Sequence, residues 1–233
     1  MTKTKRSLSA RFLRSSLKGA LYCIGGTVAL TAVYAVVPVP TTATMLFDSK
    51  GSNRDWTPIS AISPNLVRAV IAAEDGKFCS HDGFDREAIE KALARNKQGG
   101  RVRGGSTISQ QTAKNVFLWQ GSGWTRYLRK IPEVYFTFVI EKIWGKRRIM
   151  EVYLNVAETG IGTYGAEAGA QRYFKKSAKN LTRIEAARLA AILPLPKKRA
   201  VNGVGGFTRR YGNSISARIR AVKRDGLDRC IYT

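Results

Sequence analysis

Two neighbouring carboxylates, Glu74 and Asp75, close an apolar helical pattern that opens at Ser63-Pro64 and runs through Leu66, Val67, Val70 and Ile71. Ser is the N-cap of such a helix and Pro its first residue. A carboxylate at the far end meets the negative end of the helix dipole and the edge of the core. Both disfavour its charge and raise its pKa, which suits general acid–base chemistry. The competing reading is an ordinary C-terminal acid paired with Lys77 or His81. His81 itself reads as a residue that holds the following turn by hydrogen bonds.

A second group is Gly104-Gly105-Ser106-Thr-Ile-Ser-Gln110-Gln111-Thr-Ala-Lys114-Asn115. If Ser106 caps a helix, then Ser106, Gln110 and Lys114 form one polar stripe that ends in a cation. The Gly pair admits a ligand to the backbone, and the helix N-terminus offers N–H groups to an anion. With Gln111 beside Gln110, the stretch reads as a sugar or phosphate site rather than a solvated helix face. The third group is Arg129-Lys130-Ile-Pro-Glu133, ahead of the apolar run Val134–Ile140. Glu133 sits near the positive end of that helix, which favours a charged carboxylate. Two cations and a carboxylate suit a diphosphate, bound directly or through a divalent cation such as Mg or Mn. A surface ion-pair cluster is the alternative.

The elements that must position these groups are mostly helices. Residues 38–62 read as a linker with an extended piece at Thr44–Phe47, followed by the helix from Ser63-Pro64 to Glu74. A second helix runs from Asp85 through Leu93 and a third starts at Ser106. Helical patterns then cover 126–143, 147–157 and 164–173. Thr182 and Glu185 form a capping box that opens an Ala-rich helix ending at Pro194 and Pro196. A basic helix covers 208–223, and strand signals are few. Three local patterns mislead. Gly160 to Gly165 fits GxGxxG, but Ile149–Val156 before it reads as an amphipathic helix, not the buried strand of a dinucleotide site. Ser15-Ser-Leu-Lys18 fits SxxK without its companion motifs. Gly104-Gly-Ser-Thr lacks the Lys of a phosphate-binding loop.

Forty Lys or Arg against 16 Asp or Glu give the 233-residue chain a charge of +24, and 44% hydrophobic residues supply a core. The single His excludes a His-based metal cluster and argues against a Ser-His-Asp hydrolase. Three Cys without CxxC exclude a disulfide framework or zinc ribbon. Residues 1–18 carry six basic residues and no acid, and Gly19–Val37 is nearly all apolar or small. That stretch is long enough to span a bilayer and longer than a signal-peptide core, and no clean AxA site follows it. Basic residues before it and none soon after predict a cytosolic tail, a retained span and an outer domain. Cys23 then lies in the span, and Cys79 and Cys230 meet the oxidising side. The outer part keeps 34 basic against 16 acidic residues, or +18. Nine of the basic residues fall between Lys197 and Arg224, a solvated face attractive to anionic lipid. Nucleic acid is not expected as a partner outside the cell. Trp119, Trp124 and Tyr127, interleaved with Arg126 and Arg129, read as an interfacial segment.

Taken in order, Glu74-Asp-x-x-Phe78-x-x-His81-x-Gly83, Gly104 to Asn115, Arg129-Lys130-x-x-Glu133, Glu151-Val-Tyr-Leu-Asn155 and the Gly162/Tyr164-Gly165 segment leading to Tyr173-Phe174 resemble the peptidoglycan glycosyltransferases (family 51). The form is monofunctional and membrane-anchored, without the transpeptidase domain of bifunctional relatives. The resemblance covers about residues 60–200. It implies a mainly α, lysozyme-like domain with a second, membrane-dipping lobe, preceded by one transmembrane helix. The expected division is 1–18 tail, 19–37 span, 38–62 linker, 63–224 glycosyltransferase domain and 225–233 C-terminal tail. The implied substrate is lipid II, joined with inversion to a growing glycan chain as undecaprenyl diphosphate leaves. The implied place is the bacterial inner membrane, with the catalytic domain periplasmic and other cell-wall or division proteins as possible partners. Glu74 matches the general base and Glu133 the second essential Glu. Ser106, Gln110 and Lys114 match donor-site contacts, with Gly104, Gln111, Arg129 and Lys130 beside them and Phe78 packed next to the base. Relatives carry an Arg shortly before the Arg-Lys-x-x-Glu motif; Arg126, at a shifted spacing, is the candidate here. A lysozyme-like hydrolase is the nearest rival, but cleaving a neutral glycosidic link gives the cationic groups no diphosphate to bind. A membrane-anchored scaffold for anionic polymers is the rival of a different class, indifferent to Glu74 and Glu133.

Overall fold

An N-terminal helix, α1 (Lys3–Val36), forms one unit, Met1–Val37, and the rest of the chain a second, Pro38–Thr233. The computed structural model describes residues 3–97, 105–121, 123–199, 201 and 206–232. Within α1 the 27 residues Ala10–Val36 are long and apolar enough to cross a membrane. At 1.5 Å per residue they reach about 40 Å. Leu17, Leu21, Ile24 and Val33 are exposed, as on a helix that faces lipid rather than a protein core. The helix starts well before Gly19 because Lys and Arg are good helix formers and continue it through the basic tail.

The second unit takes in residues expected to be linker. Val39, Met45, Ile59 and Ile62 are buried in its core. Thr44–Phe47 is not extended: Thr42 caps a short helix, α2 (Ala43–Leu46), its hydroxyl accepting the Met45 N–H at 3.3 Å. Strand β1 (Asn53–Arg54) follows, then α3 (Pro64–Glu74) with Ser63 as its N-cap, as the sequence predicts. Helix α4 (Arg86–Lys97) comes next.

Helix α5 (Ile108–Phe117) starts later than expected, because Thr107 and not Ser106 is the cap. The Thr107 hydroxyl accepts the Gln110 N–H and donates to the Gly83 carbonyl at 2.6 Å, an anchor that Ser106 lacks. The pattern at 126–143 divides into α6 (Thr125–Leu128) and α7 (Lys130–Ile143). Pro132 has no N–H to give to the preceding turn, so one helix does not run through. Helix α8 (Gly145–Val156), strands β2 (Glu158–Gly160) and β3 (Thr163–Tyr164), and α9 (Ala166–Phe174) follow. Helix α10 (Arg183–Ile192) opens on the Thr182/Glu185 capping box, and α11 (Phe207–Arg224) is the basic helix.

The packing makes two helix groups. α3 packs against α10 and α11, and α5 packs against α7 and α8. Leu66, Val67, Val70 and Ile71 of α3 meet the buried Ala and Leu residues of α10, and Ile215 and Ile219 of α11 are buried with them. In the other group the rings of Phe117 and Phe136 stack with centroids 4.4 Å apart. A three-stranded sheet of order β1-β3-β2 lies at the end of α8, with β1 parallel to β3 and β2 antiparallel to it. The GxGxxG pattern is the turn of this sheet. At Gly162, with φ of +62°, a Cβ would stand 2.8 Å from the Lys50 carbonyl oxygen; at Gly165 it would stand 3.0 Å from that of Asn155. Backbone packing explains these glycines, and no nucleotide is needed.

The segment expected as a C-terminal tail, 225–233, is fastened down. Asp228 accepts a 2.6 Å hydrogen bond from Arg68 of α3, and the Ile231 carbonyl accepts one from Arg147 of α8 at 2.8 Å. Cys230 forms a disulfide with Cys79, 151 residues earlier, with a Cα–Cα distance of 5.4 Å. The absence of a Cys framework in the sequence is compatible with this single bridge, which closes on the turn after Glu74.

Candidate active site

Glu74 is the last residue of α3, and its carboxylate is isolated from the partners that an ordinary C-terminal acid would use. Lys77 pairs with Glu87, and His81 pairs with Asp75 at 3.0 Å. Asp75 is thereby structural: it also accepts the Ile108 N–H at 3.0 Å and so occupies the N-terminus of α5. The Gln110 N–H goes to Thr107. The start of α5 is thus filled by protein groups and does not await a ligand anion, contrary to the sequence expectation. His81 does hold its turn, with the Gly83 N–H donating to its Nδ1 at 3.1 Å.

Glu74 faces a cavity of about 750 Å³. Ser106, Gln110, Gln111 and Lys114 of the α5 segment line it with Arg129, Lys130 and Glu133 at the start of α7. The polar stripe and the Arg-Lys-x-x-Glu group, far apart in sequence, are brought to one wall. Gln111 donates from Nε2 to Glu74 Oε2 at 3.0 Å, while Glu74 Oε1 is buried without a hydrogen-bond partner. Burial pushes the Glu74 carboxyl above its usual range; the Gln111 hydrogen bond and the charges of Arg199 and Lys114 oppose this, and Asp75 adds to it. Lys114 is held below its usual range, first by burial and then by Arg129, with Glu133 pulling the other way. Glu133 is buried, in contact with Lys130 and with Arg129 Nε 3.6 Å from its Oε2.

Two residues expected at the site, Phe78 and Arg126, are not on the cavity wall. Phe78 is 0% exposed, with the Lys146 ammonium 4.8 Å from its ring centroid, and it is not among the residues that line the cavity. Arg126 is exposed, its guanidinium 5.5 Å from the Tyr127 ring centroid, and is not on the cavity wall. The one-turn α6 presents it to solvent while Arg129 turns inward. Gly104 lies outside the described residues. At Gly105 a Cβ would meet the Ile89 Cα at 3.2 Å, so the missing side chain makes room for α4 rather than for a ligand.

The opposite wall was not anticipated. Pro194, Leu195, Arg199, Phe207 and Tyr211 complete the cavity. Arg199 donates to the Ala191 carbonyl at 2.6 Å and lies 4.3 Å from the Phe207 ring centroid. The Tyr211 hydroxyl donates to the Ala73 carbonyl at 3.1 Å, next to Glu74. The signal available in sequence was the Pro break at 194–196 followed at once by Lys197-Lys198-Arg199, which reads as a solvated basic face. Among the described residues no group of three or more His, Cys, Asp and Glu is placed to hold a metal ion. Glu74 and Glu133 stand among cations, a donor set that does not fit a protein-held divalent ion.

A buried carboxyl with one unpartnered oxygen, lining the same cavity as a group of cations, is equipped for proton transfer beside an anionic group. The family model described as Transglycosylase matches residues 41–218. A protein of Caulobacter vibrioides named biosynthetic peptidoglycan transglycosylase is 48% identical over 229 residues, covering 95% of this chain and 99% of that protein. Proteins of the same name from Rhodospirillum centenum and Klebsiella oxytoca are 48% and 46% identical, covering 88% and 95% of this chain and 89% and 94% of their own lengths. With the family model reaching across most of the second unit and relatives matched over nearly their whole lengths, the chain belongs to the transglycosylase family, the glycosyltransferases of peptidoglycan synthesis.

Proposed function

We propose that this peptidoglycan transglycosylase polymerises lipid II in the cavity, with Glu74 as general base. The acceptor sugar hydroxyl gives its proton to Glu74 Oε1 as its oxygen attacks the donor anomeric carbon. The bond from that carbon to the diphosphate oxygen breaks, and the lipid diphosphate leaves with the electron pair. Lys114, Arg129 and Lys130 meet the growing negative charge, and Glu133 holds the two α7 cations in place. A desolvated carboxylate is a stronger base than one in water, which favours this step once Glu74 is ionised.

The observation that carries the reading is that Glu74, with one buried and unpartnered oxygen, lines the same cavity as Lys114, Arg129 and Lys130. Hydrolysis of a neutral link gives those cations nothing to do. The α1 segment would hold the enzyme at the membrane that carries the substrate. The basic tail ahead of the span favours a cytosolic N-terminus and an outer catalytic unit. The Cys79–Cys230 bridge supports the same orientation, since structural disulfides persist in oxidising compartments.

The test is polymerisation of purified lipid II in detergent by Glu74→Gln. A loss of about 10²–10⁴-fold is expected. Activity within a few-fold of the parent removes Glu74 from the chemistry.

A further inference from the structure

The two oxygens of Glu74 are not equivalent. Oε2 accepts the hydrogen bond from Gln111 Nε2 at 3.0 Å, whereas Oε1 is buried with no partner. A buried acceptor left open is costly unless a group arrives to fill it. Gln111 has a second contact: its Oε1 accepts from the Tyr153 hydroxyl of α8 at 3.4 Å. Tyr153 is 1% exposed, and burial, with the charges of Glu74 and Asp75, pushes its phenol well above the usual range, so it stays protonated. A phenol donating to one end of the amide turns the carbonyl towards α8 and sends the NH₂ to Glu74.

We propose that Gln111 is a positioning residue for the reaction: held by Tyr153, it fixes the Glu74 carboxylate so that Oε1 is the atom that takes the acceptor proton. The proposal rests on the reading of Glu74 as the general base, and it moves Gln111 from substrate contact to orienting group. The ionisable groups that bear on Glu74 are Lys114 from α5, Arg199 from the segment after α10, Tyr153 from α8 and Asp75 at the end of its own helix. Lys114 and Arg199 act on it as charges, and Gln111 donates to it directly. Loss of Gln111 therefore has two separable effects. The carboxylate loses its fixed orientation, which lowers turnover. Its charged form loses a donor, which moves the acid limb of the pH profile to higher pH.

The experiment measures kcat and KM for lipid II polymerisation across pH with the full chain, for Gln111→Leu, Tyr153→Phe and Glu74→Gln. Gln111→Leu should lower kcat roughly 10–100-fold, leave KM within a few-fold and shift the acid limb upward. Tyr153→Phe should shift it in the same direction by less. If Gln111→Leu fails to fold by circular dichroism, the Tyr153→Phe shift decides alone. An unmoved acid limb, or a rise in KM with kcat unchanged, overturns the positioning role while an inactive Glu74→Gln leaves the general base standing. An active Glu74→Gln overturns the base reading itself.

Discussion

Burial weighs most heavily against the ammonium charge of Lys114, Arg129 and Lys130 add to that, and Glu133 and Glu74 favour the charge. A diphosphate entering the cavity supplies the missing counter-charge, and most strongly when its bond to the sugar is breaking. Lys114→Ala should therefore lower the rate at saturating lipid II about 10²–10³-fold, and Lys114→Arg should recover part of it. Arg126→Ala, outside the cavity, should change the same rate by a few-fold at most. Glu74 makes a prediction about stability. Its folded-state pKa is raised, so the folded chain holds that proton more tightly than the unfolded chain does. The stability this gives is present below the unfolded value and is lost as pH rises through the folded one. Against the parent, Glu74→Gln should thus melt higher at pH 7 and gain nothing near pH 4, as calorimetry would show; a lower melting temperature at pH 7 would contradict the sign. Glu74, Lys114 and Glu133 were legible because their motifs are short and chemically dense. Phe78, expected beside the base, is buried and off the cavity wall, because position along the turn after Glu74 does not decide which way a ring faces.

Among the elements, those set by local chemistry were the readable ones. Ser63-Pro64 and the Thr182/Glu185 box each use groups within three residues. At the start of α5, Ser106 and Thr107 are both competent caps, and the choice falls to Thr107 through the Gly83 carbonyl, 24 residues away. The same holds for Arg199, Phe207 and Tyr211: their place opposite Lys114 comes from α11 packing on α3, a contact with no local signature. Residues 38–62 read as linker because Val39, Met45 and Ile59 follow no helical or strand period, yet each is buried. The turn of the small sheet carries the element-scale prediction. Gly162→Ala forces a left-handed φ on a side chain whose Cβ meets the Lys50 carbonyl oxygen at 2.8 Å. It should cost about 1–3 kcal/mol, seen as a lower denaturant midpoint, and leave the Glu74 chemistry intact.

At the scale of the molecule, the mainly α character follows from helical periodicity and few strand signals, the lysozyme-like fold from the family resemblance that the motifs carry, and the apolar N-terminal helix from one long uncharged run. A protein that draws its substrate from a bilayer gains from being held there. Deleting residues 1–37 should leave a folded unit that polymerises lipid II in detergent but works poorly on lipid II in vesicles. Equal rates in vesicles for the truncated and full chains would show that α1 is not a kinetic device. Placing Cys23 in the span left Cys79 and Cys230 as the two Cys on the oxidising side, but that they meet depends on where residues near 230 are packed, which has no local signature.

That packing sets a clock. Cys79 leaves the ribosome 151 residues ahead of its partner Cys230. At about 5–20 residues per second, roughly 8–30 s pass with Cys79 synthesised and its mate not yet made. Through that interval the turn that carries His81 and Asp75 lacks its covalent tie. The thiol made earlier, Cys23, belongs to the apolar α1, in a different unit from the one that holds Cys79 and Cys230. The bridge can therefore close only after Cys230 is made, and it ties the turn beside Glu74 to a segment synthesised long after it.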